Sequence, residues 1–223
     1  MSGTFVWCTL FIWNPCAKDY LVLPERPSFK NLYKYKQIYE LAFGFGCDST
    51  ADDYKVISIR LGVGHSEGST KEFLIYTTRT KVWRELLKVP DEGVFLQGVG
   101  FFANGAVYWL SYRLHELSRW ENLVSYFNIE SEEWGILAAP TLKSPSGASN
   151  NIGMALGRKV GIFYTYPCRK QDSKYKYCTD VFVLRSNFSY HQHTPSEPAE
   201  ELLHNGPAAC RPSAHMGSSL IWL

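Results

Sequence analysis

The sequence has no excess of charge of one sign and no long apolar run. Its 23 Lys and Arg residues nearly balance its 21 Asp and Glu residues, and the two signs are mixed along the chain. Binding to nucleic acid or to a membrane surface usually needs a concentrated basic patch, so we expect neither partner. No apolar stretch approaches the ~20 residues of a membrane-spanning helix, and the first ten residues lack the basic start of a signal peptide. We therefore expect a cytoplasmic or nuclear protein.

Cysteine is sparse and its spacing is wide. The six cysteines stand at positions 8, 16, 47, 168, 178 and 210, with no C-x-x-C pair. A structural zinc site needs ligand pairs close enough to share one ion, so no metal is expected. A chain of 223 residues can bury a core without a disulfide framework. We therefore expect the cysteines to be reduced thiols.

Motifs that would indicate catalysis or a cofactor are missing or weak. Gly62-Val63-Gly64 with Gly68 could suggest a phosphate loop, but such a loop precedes a helix, and only strand-like sequence follows. His191 and His193 lie in a proline-rich segment, which favours an irregular tail over a ligand pair. Asp52-Asp53 is typical of a turn whose side chains bond to nearby amides. We find no Gly-x-Ser-x-Gly and no convincing Cys–His pair, so we expect no enzymatic activity and no cofactor.

The chain is instead rich in aromatic residues, which make up 15% of it. Aromatic and branched side chains favour β-strands, and short runs of them recur between turn signals. Tyr54–Arg60 alternates apolar and polar residues, the period of a half-buried strand. Asn104-Gly105 is the strongest hairpin signal because both residues tolerate positive φ. The predicted strands cover residues 5–13, 20–23, 39–45, 54–60, 73–76, 81–86, 99–102, 107–110, 123–129, 134–137, 152–156, 160–166 and 180–184.

Two segments form a degenerate repeat. Tyr76 to Trp83, with a proline exit at position 90, aligns with Tyr126 to Trp134, with a proline exit at position 140. Residues 12–24 are a looser third copy. A unit of about four strands with a period of ~40–50 residues is typical of propeller blades, since one blade has two faces and buries both only between neighbours. A β-sandwich with coincidental aromatic spacing is the alternative.

Five motifs in the same order resemble the F-box-associated domain of plant F-box proteins. They are Trp13-Asn14-Pro15 with Leu23-Pro24, the segment from Gly44 to Val56, Ile75-Tyr76 to Trp83-Arg84, Phe102 to Leu110, and Ser125–Ile129 to Trp134. The resemblance covers about residues 11–185. It implies an all-β fold, a partial β-propeller of roughly three to five four-stranded antiparallel blades.

The resemblance also has limits. The family's F-box of about forty residues would precede the matching segment, so we expect the associated domain without its F-box. Residues 1–186 are predicted to form the propeller-like domain, and residues 187–223 an irregular, disordered tail with four prolines. An open arc of blades would leave two uncovered faces, so we expect marginal stability or self-association.

By resemblance, such a domain recognises a target protein for an SCF-type ubiquitin ligase, while the F-box, where present, docks the Skp adaptor and a cullin. We expect target contacts from three loops, 61–70, 113–122 and 166–179, and within or beside them from Trp120, Arg119, His65, Arg113 and Arg169. Two other hypotheses stay open: a non-functional fragment or decoy, and a sugar-binding or enzymatic propeller. The identity of the target is not encoded in any motif.

Overall fold

The computed structural model describes residues 9–28, 35–64, 69–86, 93–96, 98–114, 120–140, 149–155, 159–167, 177–184, 190–193 and 220–222. Every regular element in these ranges is a β-strand. The all-β fold class, with several sheets as in a partial propeller, is therefore confirmed. The strands are β1 Phe11–Asn14, β2 Asp19–Val22, β3 Tyr35–Asp48, β4 Asp53–Gly64, β5 Ser69–Thr77, β6 Val82–Glu85, β7 Val94–Leu96, β8 Gly98–Val99, β9 Phe101–Ala103, β10 Ala106–Leu114, β11 Trp120–Asn128, β12 Trp134–Ala138, β13 Ser149–Ala155, β14 Lys159–Pro167, β15 Tyr177–Leu184, β16 Tyr190–His193 and β17 Leu220–Trp222.

These strands form four sheets. Sheet I has the order β17-β1-β2, and sheet II has the order β6-β5-β4-β3-β8. Sheet III has the order β12-β11-β10-β7, with β9 on the same edge of β10 as β7. Sheet IV has the order β13-β14-β15-β16. The predicted four-stranded antiparallel blade describes sheet IV directly, whereas β17 in sheet I and β8 in sheet II add parallel pairs.

The chain divides into two compact units. One unit comprises Met1–Ile136 with Ala214–Leu223, and it contains sheets I, II and III; the other comprises Leu137–Ser213 and contains sheet IV. In the second unit, Val160, Ile162 and Tyr164 are buried, and the Tyr164 ring meets the Phe182 ring edge to face. The Tyr164 hydroxyl donates a hydrogen bond to the Pro140 carbonyl, 3.0 Å away.

Sheet II is buried on both faces. On one face, Ile57 and Ile75 belong to a core cluster with residues of sheet III, among them Phe127. On the other face, Val56 belongs to a second cluster with residues of sheet I, among them Ile12. Burial of each such side chain contributes about 1.5–3 kcal/mol. This two-sided burial is the packing that a propeller blade requires and that an isolated sheet lacks.

Glycine lets sheets II and III approach closely. A Cβ at Gly44 would overlap the ring of Trp109, and a Cβ at Gly46 would lie 2.6 Å from the Phe102 ring. Trp109 is fully buried. The Gly-Phe-Gly stretch of the sequence therefore has a packing role, because only glycine leaves room for the aromatic rings of the facing sheet.

A short crossing segment joins sheets II and III. After β7 pairs with β10, Gly98–Val99 leaves that edge and pairs in parallel with β3, before β9 returns to β10. Gly98 has φ +81°, which glycine tolerates at little cost. The sequence predicted a simple strand bulge at Gly98 and Gly100. The segment instead leaves sheet III, pairs with β3 of sheet II and then returns to sheet III.

The repeat is real but is shifted by one residue. The turn from Thr77 to Val82 corresponds to the turn from Asn128 to Glu133, because each has its left-handed residue at the fifth position, Lys81 or Glu132. The tryptophans match, as predicted. The equivalent of Tyr76 is Phe127, however, and not Tyr126, because a shift of one residue moves a side chain to the opposite face of the sheet.

Ring contacts support this correction. The Tyr76 and Trp83 rings are 5.3 Å apart, and those of Phe127 and Trp134 are 4.9 Å apart. The loose third copy fits the same pattern, since its turn also carries a left-handed fifth residue, Lys18, and pairs Trp13 with Tyr20. Each of the three hairpins thus has an aromatic pair beside its turn.

The predicted tail contains two strands, β16 and β17, and its other residues lie outside the described ranges. The boundary after residue 186 stays a prediction.

Candidate functional site

Sheets II and III share two distinct ends. The turn end carries the tight turns that start at Asp48, Thr77, Asn104 and Asn128, and the Ile129 amide donates to the Gly105 carbonyl there. The connection end, at the opposite ends of the same strands, is where β4 leads to β5 and β10 leads to β11. These two connections belong to the loops that the sequence predicted as target-binding, so one end of the unit gathers both.

The strands reach further into the predicted loops than expected. Of the loop 61–70, residues 61–64 belong to β4 and residues 69–70 to β5, and Val63 pairs with Ser69. Of the loop 113–122, β10 extends to Leu114 and β11 begins at Trp120, and these two residues pair. Of the loop 166–179, Pro167 still pairs with Tyr177. The ladders extend because both neighbouring strands continue to offer hydrogen-bond partners.

The predicted contact residues fall on or beside these connections. His65, Arg119 and Arg169 lie outside the described residues. Trp120 is the first residue of β11, and only its main chain is described. Arg113 in β10 is half-buried, with its Nη1 3.8 Å from Glu121 Oε2 on the neighbouring strand. The part of these residues in binding stays a prediction.

A lysine that the sequence reading overlooked ties the two sheets together at the connection end. Lys71 of β5 donates to the main-chain carbonyl of Val94 in β7, and its ammonium lies 4.4 Å from the centre of the Phe95 ring. A cation over an aromatic face is held by the ring quadrupole. The two connections therefore project from sheets that are fixed to each other.

A buried ion pair stands close to the same end. Arg60 of β4 and Glu72 of β5 are direct cross-strand partners, and Arg60 Nε donates to Glu72 Oε2 over 2.7 Å. Arg60 also donates to the Pro27 carbonyl. Since a buried charge needs a full set of partners, we assign this pair to structure. The alternation of Tyr54–Arg60 predicted a half-buried strand; that prediction was wrong, because sheets pack on both faces of β4 and bury Arg60 as well.

The turn end holds a larger charge network. Lys55 Nζ lies 2.9 Å from Asp48 Oδ2 and 3.0 Å from Glu132 Oε1, and it donates to the Ile129 carbonyl over 2.7 Å. Its three hydrogens are thereby used. Arg84 contacts Glu132 from the outer side. Because Lys55 belongs to sheet II and Glu132 to the β11–β12 turn, the network fastens sheets II and III.

The pKa values in this network shift as an ion pair requires. The hydrogen bond from Lys55 is the main cause that lowers the pKa of Asp48, with amides of the turn adding to it. Burial pushes the pKa of Lys55 down, but hydrogen bonds with Asp48 and Glu132 outweigh burial and raise it. Burial pushes the pKa of Glu132 up, but hydrogen bonds from Arg84 and Lys55 outweigh burial and lower it. All three groups are held in their charged forms, which suits structure and not proton transfer.

Asp53 has the structural role that was expected of it. Its Oδ1 accepts hydrogen bonds from the Tyr54 amide, the Thr78 hydroxyl and the Arg79 amide. Asp52 supplies the left-handed turn residue, with φ 48°. Thus Asp53 bonds to local amides, as predicted, and also joins the β3–β4 turn to the β5–β6 turn.

The third connection starts from a hydrogen-bonded ladder in sheet IV. Thr165 and Thr179 share a hydroxyl hydrogen bond of 3.1 Å, and the Tyr166 hydroxyl donates to Asp180 Oδ2 over 3.2 Å. Burial, and then the Asp180 charge, raise the pKa of Tyr166. Tyr166 is therefore a neutral donor near pH 7.

The described part of the chain gives little support for a metal site or a phosphate loop. No cluster of three or more His, Cys, Asp or Glu side chains there could hold a metal ion. Cys16 and Cys47 are free thiols. Gly62–Gly64 lies within β4 and is followed by β5, so it lacks the helix of a phosphate loop. The described ranges contain no helix, and therefore none long and apolar enough to cross a membrane.

Comparison with known proteins gives a coherent result. A family model described as the F-box associated beta propeller domain matches residues 4–172. Two proteins of Arabidopsis thaliana are similar over 134 residues, or 59% of this chain. One, named "Putative F-box protein", is 29% identical over 32% of its own length, and the other, named "F-box/kelch-repeat protein", is 30% identical over 34% of its length. The matched segment thus spans about a third of each relative. The family description agrees with the propeller that the repeat favoured over a β-sandwich.

Proposed function

The chain belongs to the F-box-associated β-propeller domain family, and on that premise we propose that it is a protein-interaction module that recognises targets of an SCF-type ubiquitin ligase. The chain holds the target and does no chemistry of its own. A Skp adaptor and a cullin join only through an F-box of the full-length protein. Cytoplasm, nucleus or both are the compartments in which this module works.

One observation carries the proposal: two connections of sheets II and III leave the same end of one tightly fastened unit. Lys71 fastens the sheets near that end, and Lys55 fastens them at the turn end. Loops on a rigid scaffold can vary in sequence without disturbing the core, which is how binding surfaces are commonly built. The turn end, by contrast, is committed to internal hydrogen bonds, such as those of Asp53.

The experiment compares three tagged forms of the chain in plant extract, with captured proteins quantified by mass spectrometry. In the first variant, residues 64–68, 115–119 and 168–176, which lie between the paired Val63 and Ser69, Leu114 and Trp120, and Pro167 and Tyr177, are each replaced by Asn-Gly. This turn already joins the paired Ala103 and Ala106, so the ladders should keep their register. The matched control carries Arg79→Ala and Glu130→Ala, two exposed positions at the turn end. Thermal unfolding verifies that all forms fold.

We expect the wild type and the turn-end control to capture the same reproducible protein, and the shortened variant to lose it. Capture that survives shortening would move the binding surface away from the connections. If the folded wild type captures no reproducible protein, the chain is not a target-binding module and the proposed function is wrong.

A further inference from the structure

The outer edge of β2 is uncovered. β2 is the last strand of sheet I, and no strand in the described ranges pairs with its outer side. All four of its residues are exposed. Tyr20 is 64% exposed, Val22 is 52% exposed and Leu21 is 39% exposed. An edge with three apolar side chains in a row is a template for pairing with another strand.

The equivalent positions of the other hairpins are covered. Tyr20 corresponds to Trp83 and Trp134, the aromatic residues that follow their turns. Trp83 is 6% exposed, and Trp134 packs against Phe127. The same position is thus buried at Trp83, partly buried at Trp134 and exposed at Tyr20, so β2 keeps a packing surface that no described residue of the chain fills.

The outer edge of sheet II is protected. β6 bounds sheet II, and its exposed residues include Arg84 and Glu85 beside Val82. Charged side chains on an edge strand oppose pairing with another chain. The only charged residue of β2 is Asp19, at its first position. The edge of β2 therefore opposes pairing with another chain less than the edge of β6 does.

Main-chain groups of β2 point in the required direction. The Leu23 amide donates to the Leu10 carbonyl, which continues the register in which Phe11 faces Val22 and Ile12 faces Leu21. Hydrogen-bonded and non-hydrogen-bonded pairs alternate in an antiparallel ladder. Leu21 therefore bonds towards β1, whereas the main-chain groups of Tyr20 and Val22 point to the outer edge. The Tyr20 amide is held there by Asp19 Oδ1 over 2.8 Å.

We propose that β2 pairs antiparallel with β2 of a second copy of this chain, about a twofold axis that passes through Leu21. Directly opposed residues point to the same face of a sheet, so the axis must bring together residues of equal parity. With the axis at Leu21, Tyr20 of each copy faces Val22 of the other, and the two leucines face each other. The outward main-chain groups of Tyr20 and Val22 then form the hydrogen-bonded pairs, for which Asp19 Oδ1 must release the Tyr20 amide.

The charges and the buried contact area both bear on pairing between two copies of the chain. In this register no like charges face each other, because Asp19 faces Leu23, and the net charge of +2 gives little repulsion between copies. Four residues per copy bury far less than the ~800 Å² per partner of a standard interface. The dimer is therefore expected to be weak.

Sedimentation equilibrium over roughly 5–500 μM tests the proposal. The wild type is expected to shift from monomer towards dimer. Leu21→Lys and Leu21→Glu are each expected to weaken association at least tenfold, because like charges meet at the axis. A 1:1 mixture of the two variants is expected to regain association, because opposite charges then meet. Val82→Lys, at the 58% exposed edge position of β6, is the control and leaves association unchanged.

Circular dichroism and thermal unfolding of each variant establish that loss of association is not loss of fold. A wild type that stays monomeric throughout would overturn the proposal and leave the edge to an extended segment of a different protein. Variants whose mixture fails to associate would overturn the Leu21 axis, and equal weakening by Val82→Lys would overturn the assignment to β2.

Discussion

The indole N–H of Trp109 donates a hydrogen bond to the main-chain carbonyl of Phe43, 2.8 Å away. The amide of Gly100 donates to the same carbonyl over 2.7 Å. One oxygen of sheet II thus receives both the buried tryptophan of sheet III and the segment that crosses between the sheets. This point positions β10 and β8 against β3.

We predict that Trp109→Phe lowers the free energy of unfolding by about 2–3 kcal/mol, because it removes one buried hydrogen bond and leaves a void. Urea denaturation measures the change. Tyr54→Phe is the control; Tyr54 is 46% exposed, so its change should stay within about 0.5 kcal/mol. Equal effects of the two substitutions would contradict the role given to the indole.

Gly44→Ala should lower the free energy of unfolding by about 1–3 kcal/mol, because the added methyl group overlaps the Trp109 ring in a filled core. Gly93→Ala is the matched substitution, since a Cβ there meets nothing within 4 Å. Its effect should lie within about 0.5 kcal/mol. A Gly44→Ala chain as stable as the wild type would show that the sheets are not in close contact at this point.

Lys55→Met should be costly, because it leaves the buried Asp48 without its ion-pair partner. Removal of one member of a buried pair costs about 3–5 kcal/mol. Adding Asp48→Asn to Lys55→Met removes the uncompensated charge and should restore part of the loss. A double-mutant cycle in chemical denaturation measures the coupling, and strictly additive effects would argue against an ion pair between Lys55 and Asp48.

Stability should fall in acid through the same network. The pKa of Asp48 is lowered in the folded protein, so its ionised form stabilises the fold above its ordinary pKa. That contribution is lost as the pH falls from about 5 through the folded pKa. Asp48→Asn should therefore be less stable than the wild type near pH 7 and should lose less on acidification. Denaturation curves between about pH 3 and 7 test this; parallel pH profiles would contradict it.

Lys81→Gly should raise the free energy of unfolding by about 0.5–1 kcal/mol, since Lys81 has φ 59° and glycine adopts that conformation without strain. Arg79→Gly, two residues earlier in the same turn and without a positive φ, should instead be neutral or destabilising. Thermal unfolding of both variants measures the difference. A destabilised Lys81→Gly chain would mean that the lysine side chain contributes more than its backbone strain costs.

Local features were predictable where the interaction that forms them is local. The Asn104-Gly105 turn is confirmed, with φ values of 50° and 76°, because two adjacent residues define a type I′ turn. The turn at Asp52-Asp53 also follows from adjacent residues. The repeat was found from its tryptophans, but its tyrosine was misplaced by one residue, because sequence spacing alone does not fix which face of a strand a side chain occupies.

Features that depend on distant residues were missed. The crossing at Gly98–Val99 exists because β3, more than fifty residues earlier, offers a free edge. Lys55 resembles any polar residue of an alternating strand until Glu132 and the Ile129 carbonyl are placed beside it. The candidate loops fall on connections between strands but were predicted too long, because the length of a ladder depends on its neighbouring strands.

The sequence by itself determined the β class, the positions of most hairpins and the resemblance to a family, because strand period, turn chemistry and motif order are written in neighbouring residues. Only the tertiary structure decided which faces are buried, which carboxylates meet Lys55, and that two of the candidate connections share one end while no strand of the described ranges pairs with the outer edge of β2. Those relationships join residues that are far apart in the chain, and packing of one sheet against another selects among them.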